Sequence, residues 1–186
     1  MNEDIYKADE NKLIRRVAEG DKTAFKELYV LTHKKVYFYL FRMTGNQENA
    51  EDIMAETYTE VWKNASKFRG DAKGATWVIG IARNLAMNSF RKTKYHDSID
   101  DHPNITSAED KTGETMDRKR LIKAGMQKLS ENHREIMDLV FFQEFNYQQV
   151  ADVLGIPVNT VKTRVFHAKA AFKAALNRMG VKKDDV

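Results

Sequence analysis

The chain has 186 residues, with 31 Lys or Arg against 27 Asp or Glu and a formal charge of +4. That balance favours a soluble protein with some affinity for polyanions, although the total alone identifies no nucleic-acid binder. There is no cysteine, which excludes disulfide frameworks and cysteine-based zinc sites and fits a reducing, intracellular compartment. No apolar stretch approaches the roughly 20 residues that span a bilayer. The N-terminal Met1-Asn2-Glu3-Asp4-Ile5-Tyr6-Lys7 has neither the basic region nor the apolar run of a signal peptide, so a cytoplasmic location is expected.

Apolar residues recur at helical rather than strand spacing. Leu13 and Val17, then Phe25, Leu28, Val36 and Leu40, mark two helices separated by Gly20-Asp21, with Asp21 as an expected N-cap. Beyond Gly45-Asn46 a third helix carries an apolar stripe of Ile53, Thr57, Val61 and Met54, Tyr58, Trp62. A basic loop, Lys67-Phe68-Arg69-Gly70-Asp71, precedes a fourth helix expected from about Thr76 to Arg91.

Residues 97–117 then hold seven acids against one base, Lys111, with Pro103, Gly113 and few apolar side chains. Such a segment cannot bury enough apolar surface to offset its ordering entropy, and it reads as a flexible linker. Helical patterning resumes with Leu121, Met126 and Leu129, continues through residues 136–142, and ends in a long helix. The expected fold is all-α: two small helical domains over residues 1–96 and 118–186, joined by the acidic linker.

Two segments carry chemistry. In the C-terminal one, Asn146 can cap a short helix with Gln149 three residues on, a capping-box pair. Gly155 permits a tight turn and Pro157 holds Ile156 extended before a second helix, the layout of a helix-turn-helix. Val161, Val165, Ala168, Phe172 and Leu176 should face inward along that second helix. Lys162, Phe166, Lys169 and Lys173 form another stripe, flanked by Thr163 and His167. A phenylalanine among lysines suits a thymine methyl; Lys162 and His167 can reach base edges, and Arg164 and Lys169 phosphates. The bland alternative is a solvated basic helix whose Phe166 packs on its neighbour.

In the N-terminal segment, residues 47–60 hold five acids (Glu48, Glu51, Asp52, Glu56, Glu60) and no base, whereas residues 63–94 hold eight bases and one acid, Asp71. Adjoining blocks of opposite sign suggest two surfaces with different partners, a basic protein for one and nucleic acid for the other. Phe68 and Trp77 offer flat faces for stacking, and Asn84 and Asn88 share a helix face from which amides can bond unpaired bases. Trp77 with Ile81 could equally be core. Asp52 and Glu56 have no third carboxylate or histidine placed to complete a metal or acid–base site, so neither a cofactor nor an enzymatic activity is expected.

The two segments in this order resemble the sigma-70 family, in particular its compact extracytoplasmic-function (ECF) members. The resemblance rests on residues 49–62 (Asn-Ala-Glu-Asp-Ile-Met-Ala-Glu-Thr-Tyr-Thr-Glu-Val-Trp), on Phe68-Arg69-Gly70-Asp71 with Thr76-Trp77 and Ile81-Ala82-Arg83-Asn84, and on Leu129-Ser130, Arg134-Glu135 and residues 150–169. It implies a region 2 domain, a region 4 helix-turn-helix, and three partners: core RNA polymerase, promoter DNA and an anti-sigma factor. Asp52, Glu56 and Trp62 would contact the polymerase clamp helices. Phe68, Arg69, Asn84, Asn88 and Arg91 would lie at the minus-10 element, and Lys162, Thr163, Arg164, Phe166, His167 and Lys169 at the minus-35 element. Ala55, where the family commonly has glutamine, and His167, where it often has arginine, depart from the pattern. An ordinary operator-binding regulator shares the helix-turn-helix but has no use for an acidic docking helix. A metal-dependent nuclease would need a ligand cluster that the sequence lacks.

Overall fold

The computed structural model describes residues 9–96 and 113–180, and these contain helices and no strand. They divide, apart from Asp152–Leu154, into two compact units, one N-terminal and one C-terminal. The first holds α1 (Glu10–Ala18), α2 (Lys22–Thr44), α3 (Gln47–Asn64), a 3-10 turn (Ala65–Lys67) and α4 (Gly74–His96). The second contains α5 (Gly113–Gln127), α6 (Glu131–Met137) with a π-helical continuation (Asp138–Phe142), α7 (Tyr147–Leu154) and α8 (Val158–Arg178). Most of the expected linker, residues 97–112, lies outside the described residues, and α5 begins five residues inside its expected end.

Local chemistry sets the helix boundaries of the first unit. Asp21 caps α2 as expected: one carboxylate oxygen accepts the Thr23 and Ala24 N–H groups at 2.8 and 3.0 Å, satisfying donors that a helix start leaves orphaned. The other oxygen receives both Nε and Nη2 of Arg16 at 2.9 and 2.7 Å, tying the end of α1 to the start of α2. Gly45, in the left-handed region at φ 68°, ends α2, and Asn46 caps α3 through the Asn49 N–H at 2.9 Å. Leu13, Ile14, Val17, Leu28, Val36, Leu40, Val61, Val78 and Ile79 are buried. The expected stripe on α3 is inward at Ile53, Thr57, Tyr58 and Val61. Thr57 is tolerated there because its hydroxyl donates to the Ile53 carbonyl at 2.7 Å. The Tyr58 hydroxyl meets that of Thr32 at 2.8 Å, and burial pushes the phenol well above its ordinary pKa.

In the second unit Arg134, one of the residues behind the family resemblance, has a structural task. Its guanidinium donates to the Met126, Gln127 and Leu129 carbonyls at 3.2, 3.3 and 3.1 Å, closing the C-terminal end of α5. α6 does not run on as an ordinary helix through Phe142 but widens into π turns from Asp138. There the Gln143 N–H donates to the Asp138 carbonyl at 3.0 Å, and the Gln143 amide donates to the Asp138 carboxylate at 3.3 Å. Glu135 and Asp138 are thereby two buried acids that the apolar pattern of residues 136–142 did not reveal.

Candidate nucleic-acid interface

On α3 the acids divide by environment. Glu48, Asp52 and Glu56 recur every fourth residue, so they share one face of the helix, and all three are exposed. Among the described residues none of the three is ion-paired. Glu60 ends the row: it accepts Lys63 Nζ at 3.1 Å and Asn64 Nδ2 at 2.8 Å. The Lys63 hydrogen bond holds its carboxyl below the usual carboxylate range. Trp62 stands near this face, 37% exposed, with its ring edge-on to Phe25 at 5.3 Å. The result is a negative strip bordered by an aromatic, suited to a basic protein surface.

The basic segment is built differently. Phe68 leaves the 3-10 turn and lies 5.2 Å from Trp77 at 53°, and both rings are half-buried. The two aromatics therefore cover part of each other, and Trp77 is neither fully core nor a free face. Beside them is an open cleft of ≈ 290 Å³ lined by Glu60, Asn64, Lys67, Trp77, Ile81, Asn84 and Leu85. Asn84, Asn88 and Arg91 are exposed on α4. Arg69 bridges Asp71 across the loop at 2.9 Å with both side chains in water, a contact weak enough to be exchanged for a phosphate. Of the candidates here, Phe68 and Asn84 lie nearest a common concavity, while Arg69 stands apart on the loop. Trp77, expected either as a stacking face or as core, lines the cleft, and Lys67 joins it there because the packing of α4 on α3 creates the concavity.

The capping box before α7 is complete. Asn146 Oδ1 accepts the Gln149 N–H at 2.9 Å, and Gln149 Oε1 accepts the Asn146 N–H at 3.0 Å. Gly155 supplies the left-handed C-cap at φ 64°, and α8 starts after Pro157. Val161, Val165, Ala168 and Leu176 are buried while Phe172 is half-buried, so the inward face of α8 is as expected. Lys162, Thr163, Phe166, His167, Lys169 and Lys173 are all exposed and Arg164 half-exposed. Phe166 keeps 69% of its surface in water, which removes the alternative that it packs on a neighbouring helix. Its ring meets His167 edge-on at 5.4 Å. Thr163 donates its hydroxyl to the Asn159 carbonyl at 3.1 Å. Lys169 Nζ sits 5.2 Å over the ring of Phe141, a cation–π contact that sequence spacing did not disclose. Phe141 and Phe142 are exposed beside it, at the end of the apolar run over residues 136–142.

An exposed basic–aromatic helix held by a capped short helix and a left-handed turn is helix-turn-helix geometry. The descriptions that match the chain agree: sigma-70 region 2 spans residues 28–95, and sigma-70 region 4 spans residues 119–172. The chain belongs to the sigma-70 family. Its relatives place it among the ECF sigma factors. It is 28% identical over 180 residues to the ECF RNA polymerase sigma factor SigW of Bacillus subtilis, covering 89% of this chain and 95% of that one. It is also 28% identical over 185 residues to the RNA polymerase sigma-H factor of Pseudomonas aeruginosa, covering 92% and 96%. Two solved structures share the fold: CnrH, in complex with the cytosolic domain of CnrY (TM-score 0.70, 19% identity, 92% of this chain and 99% of that one), and RpoE of Bartonella quintana, in complex with the anti-sigma factor NepR (0.66, 22%, 82% and 96%). The sigma factor is thus a transcription initiation factor for RNA polymerase that recognises promoters. Region 2 coincides with α2–α4 and region 4 with α5–α8, so α1 precedes the matched part of the first unit.

Proposed function

We propose that this sigma factor works in the cytoplasm as a stoichiometric subunit that transforms no substrate of its own, with its contacts divided among three surfaces. Asp52 and Glu56, with Trp62 at the border, dock the clamp helices of core polymerase. Phe68, Arg69, Asn84, Asn88 and Arg91 hold unpaired minus-10 bases. Lys162, Thr163, Arg164, Phe166, His167 and Lys169 read the minus-35 duplex in its major groove. The chain is divided to match, with region 2 over residues 1–96, an acidic linker at 97–117 and region 4 over 118–186. Stacking of each unpaired base on an aromatic contributes roughly 1–3 kcal/mol, which supplies part of the free energy of melting. Because the two DNA-binding units are tethered, engagement of one raises the local concentration of the other.

The observation that carries this reading is the division of the first unit into an unpaired acidic face on α3 and an adjoining cleft lined by Lys67, Trp77 and Asn84. An operator-binding regulator would need neither. Two fold neighbours were captured with an anti-sigma factor or a partner's cytosolic domain; by analogy, a protein of that kind restrains this chain. The docking assignment is tested by anisotropy of the labelled protein titrated with core polymerase. Asp52→Lys with Glu56→Lys should weaken association at least tenfold while duplex binding by α8 is unchanged. Equal core affinity in the double variant would remove α3 from the interface.

A further inference from the structure

The segment from the loop after Phe68 into the first turn of α4 carries little bonding of its own, yet α1 approaches it at four points. Glu10 Oε2 accepts the Ala75 N–H at 2.6 Å, and Asn11 Nδ2 donates to the Ala72 carbonyl at 3.3 Å. Gly74 lies so close that a Cβ there would meet Glu10 Cβ at 2.6 Å and Ile14 Cδ1 at 3.0 Å. At Gly70, held at φ +82°, a Cβ would stand 3.2 Å from Arg15 Nη2. Positions 10, 11, 14 and 15 share one helix face, so a single rigid surface backs residues 70–75. Ile14 is fully buried, which anchors that surface to the core of the unit.

We infer that α1 is a positioning element for minus-10 capture and that Glu10 is its positioning residue. The inference rests on the proposed role of Phe68 and Arg69 in holding unpaired bases. The start of α4 presents N–H donors that no earlier turn can satisfy. Glu10 takes one of them with an ionised acceptor, and its charge also favours the positive end of the α4 dipole. The bond spans 65 residues of sequence and fixes where the helix begins, and hence where the preceding loop leaves it. A loop ordered before DNA arrives loses less entropy on binding than one that must be ordered by it. Glu10 touches neither DNA nor polymerase in this scheme and acts only through the loop backbone.

The test uses full-length protein saturating core polymerase, with opening followed by a fluorescent base analogue at minus-10. Amide exchange of residues 68–75 is measured on the same variants. Glu10→Ala should speed exchange in 68–75 but not in α2 or α3, leave core affinity within about twofold, and slow opening about tenfold, as expected for one charge-assisted hydrogen bond. Glu10→Gln retains an acceptor oxygen and should recover most of the rate, a rescue that a general folding defect would not allow. Gly74→Ala, which forces α1 away, should slow opening without rescue. Unchanged opening in Glu10→Ala, unchanged exchange in 68–75, or a loss that tracks core affinity would overturn the inference. A wild-type holoenzyme that never opens DNA would sink the underlying reading of the loop, and this inference with it.

Discussion

Burying a phenylalanine is worth roughly 1.5–3 kcal/mol, yet Phe166 leaves 69% of its surface in water on a helix whose opposite face is packed. Little folding free energy rests on its side chain, so Phe166→Ala should leave thermal stability nearly unchanged. Its loss should instead cost about 1–3 kcal/mol of discrimination at one base pair, measured as specific against non-specific duplex affinity at fixed salt. Lys169 is expected to behave differently. Loss of a phosphate contact weakens binding to all sequences alike, so Lys169→Ala should lower the salt slope of binding by about one. At Asp21 the carboxyl is held below its ordinary pKa by the Ala24 N–H first, then by Arg16 and Thr23. A depressed folded pKa means that its stabilisation is present above the unfolded value, near 4 by roughly the model-peptide figure, and is lost as pH falls through the lower folded value. Asp21→Asn keeps a good N-cap but cannot titrate. The difference in melting temperature between wild type and this variant should therefore shrink between neutral pH and about pH 3.

Helix ends were the most legible features, because a cap is made within four residues of itself. Asp21 and Asn146 were recognisable from their neighbours alone, and Asn146→Ala should lower the urea-derived unfolding free energy by about 1 kcal/mol. The outward stripe of α8 was legible for the same reason: residues 162, 166, 169 and 173 repeat at the helical period. Features that depend on contact between elements were not. Glu10 meets Ala75 only once α1 and α4 pack, and nothing near either residue marks the bond. Trp77 could not be assigned from spacing, since it is half-buried, with its ring against Phe68 on one side and bordering a cleft that α3 and α4 make together. The π-helical end of α6 was hidden because Leu139, Val140, Phe141 and Phe142 are apolar in every register.

Along the whole chain, charge falls in blocks of opposite sign. A row of unpaired acids on α3 precedes a segment of eight bases and one acid, and residues 97–117, with seven acids and one base, follow. On the proposed division of contacts, α8 alone should recognise duplex DNA, but only a chain that also docks core polymerase should start transcripts. The measurement that tests it most directly is transcription with purified, sigma-free bacterial core polymerase on a pooled library of promoter fragments. Transcripts with defined start sites should appear that require the added protein and disappear with Asp52→Lys plus Glu56→Lys. Specific duplex binding without core association or transcripts would contradict that division and leave an operator-binding regulator.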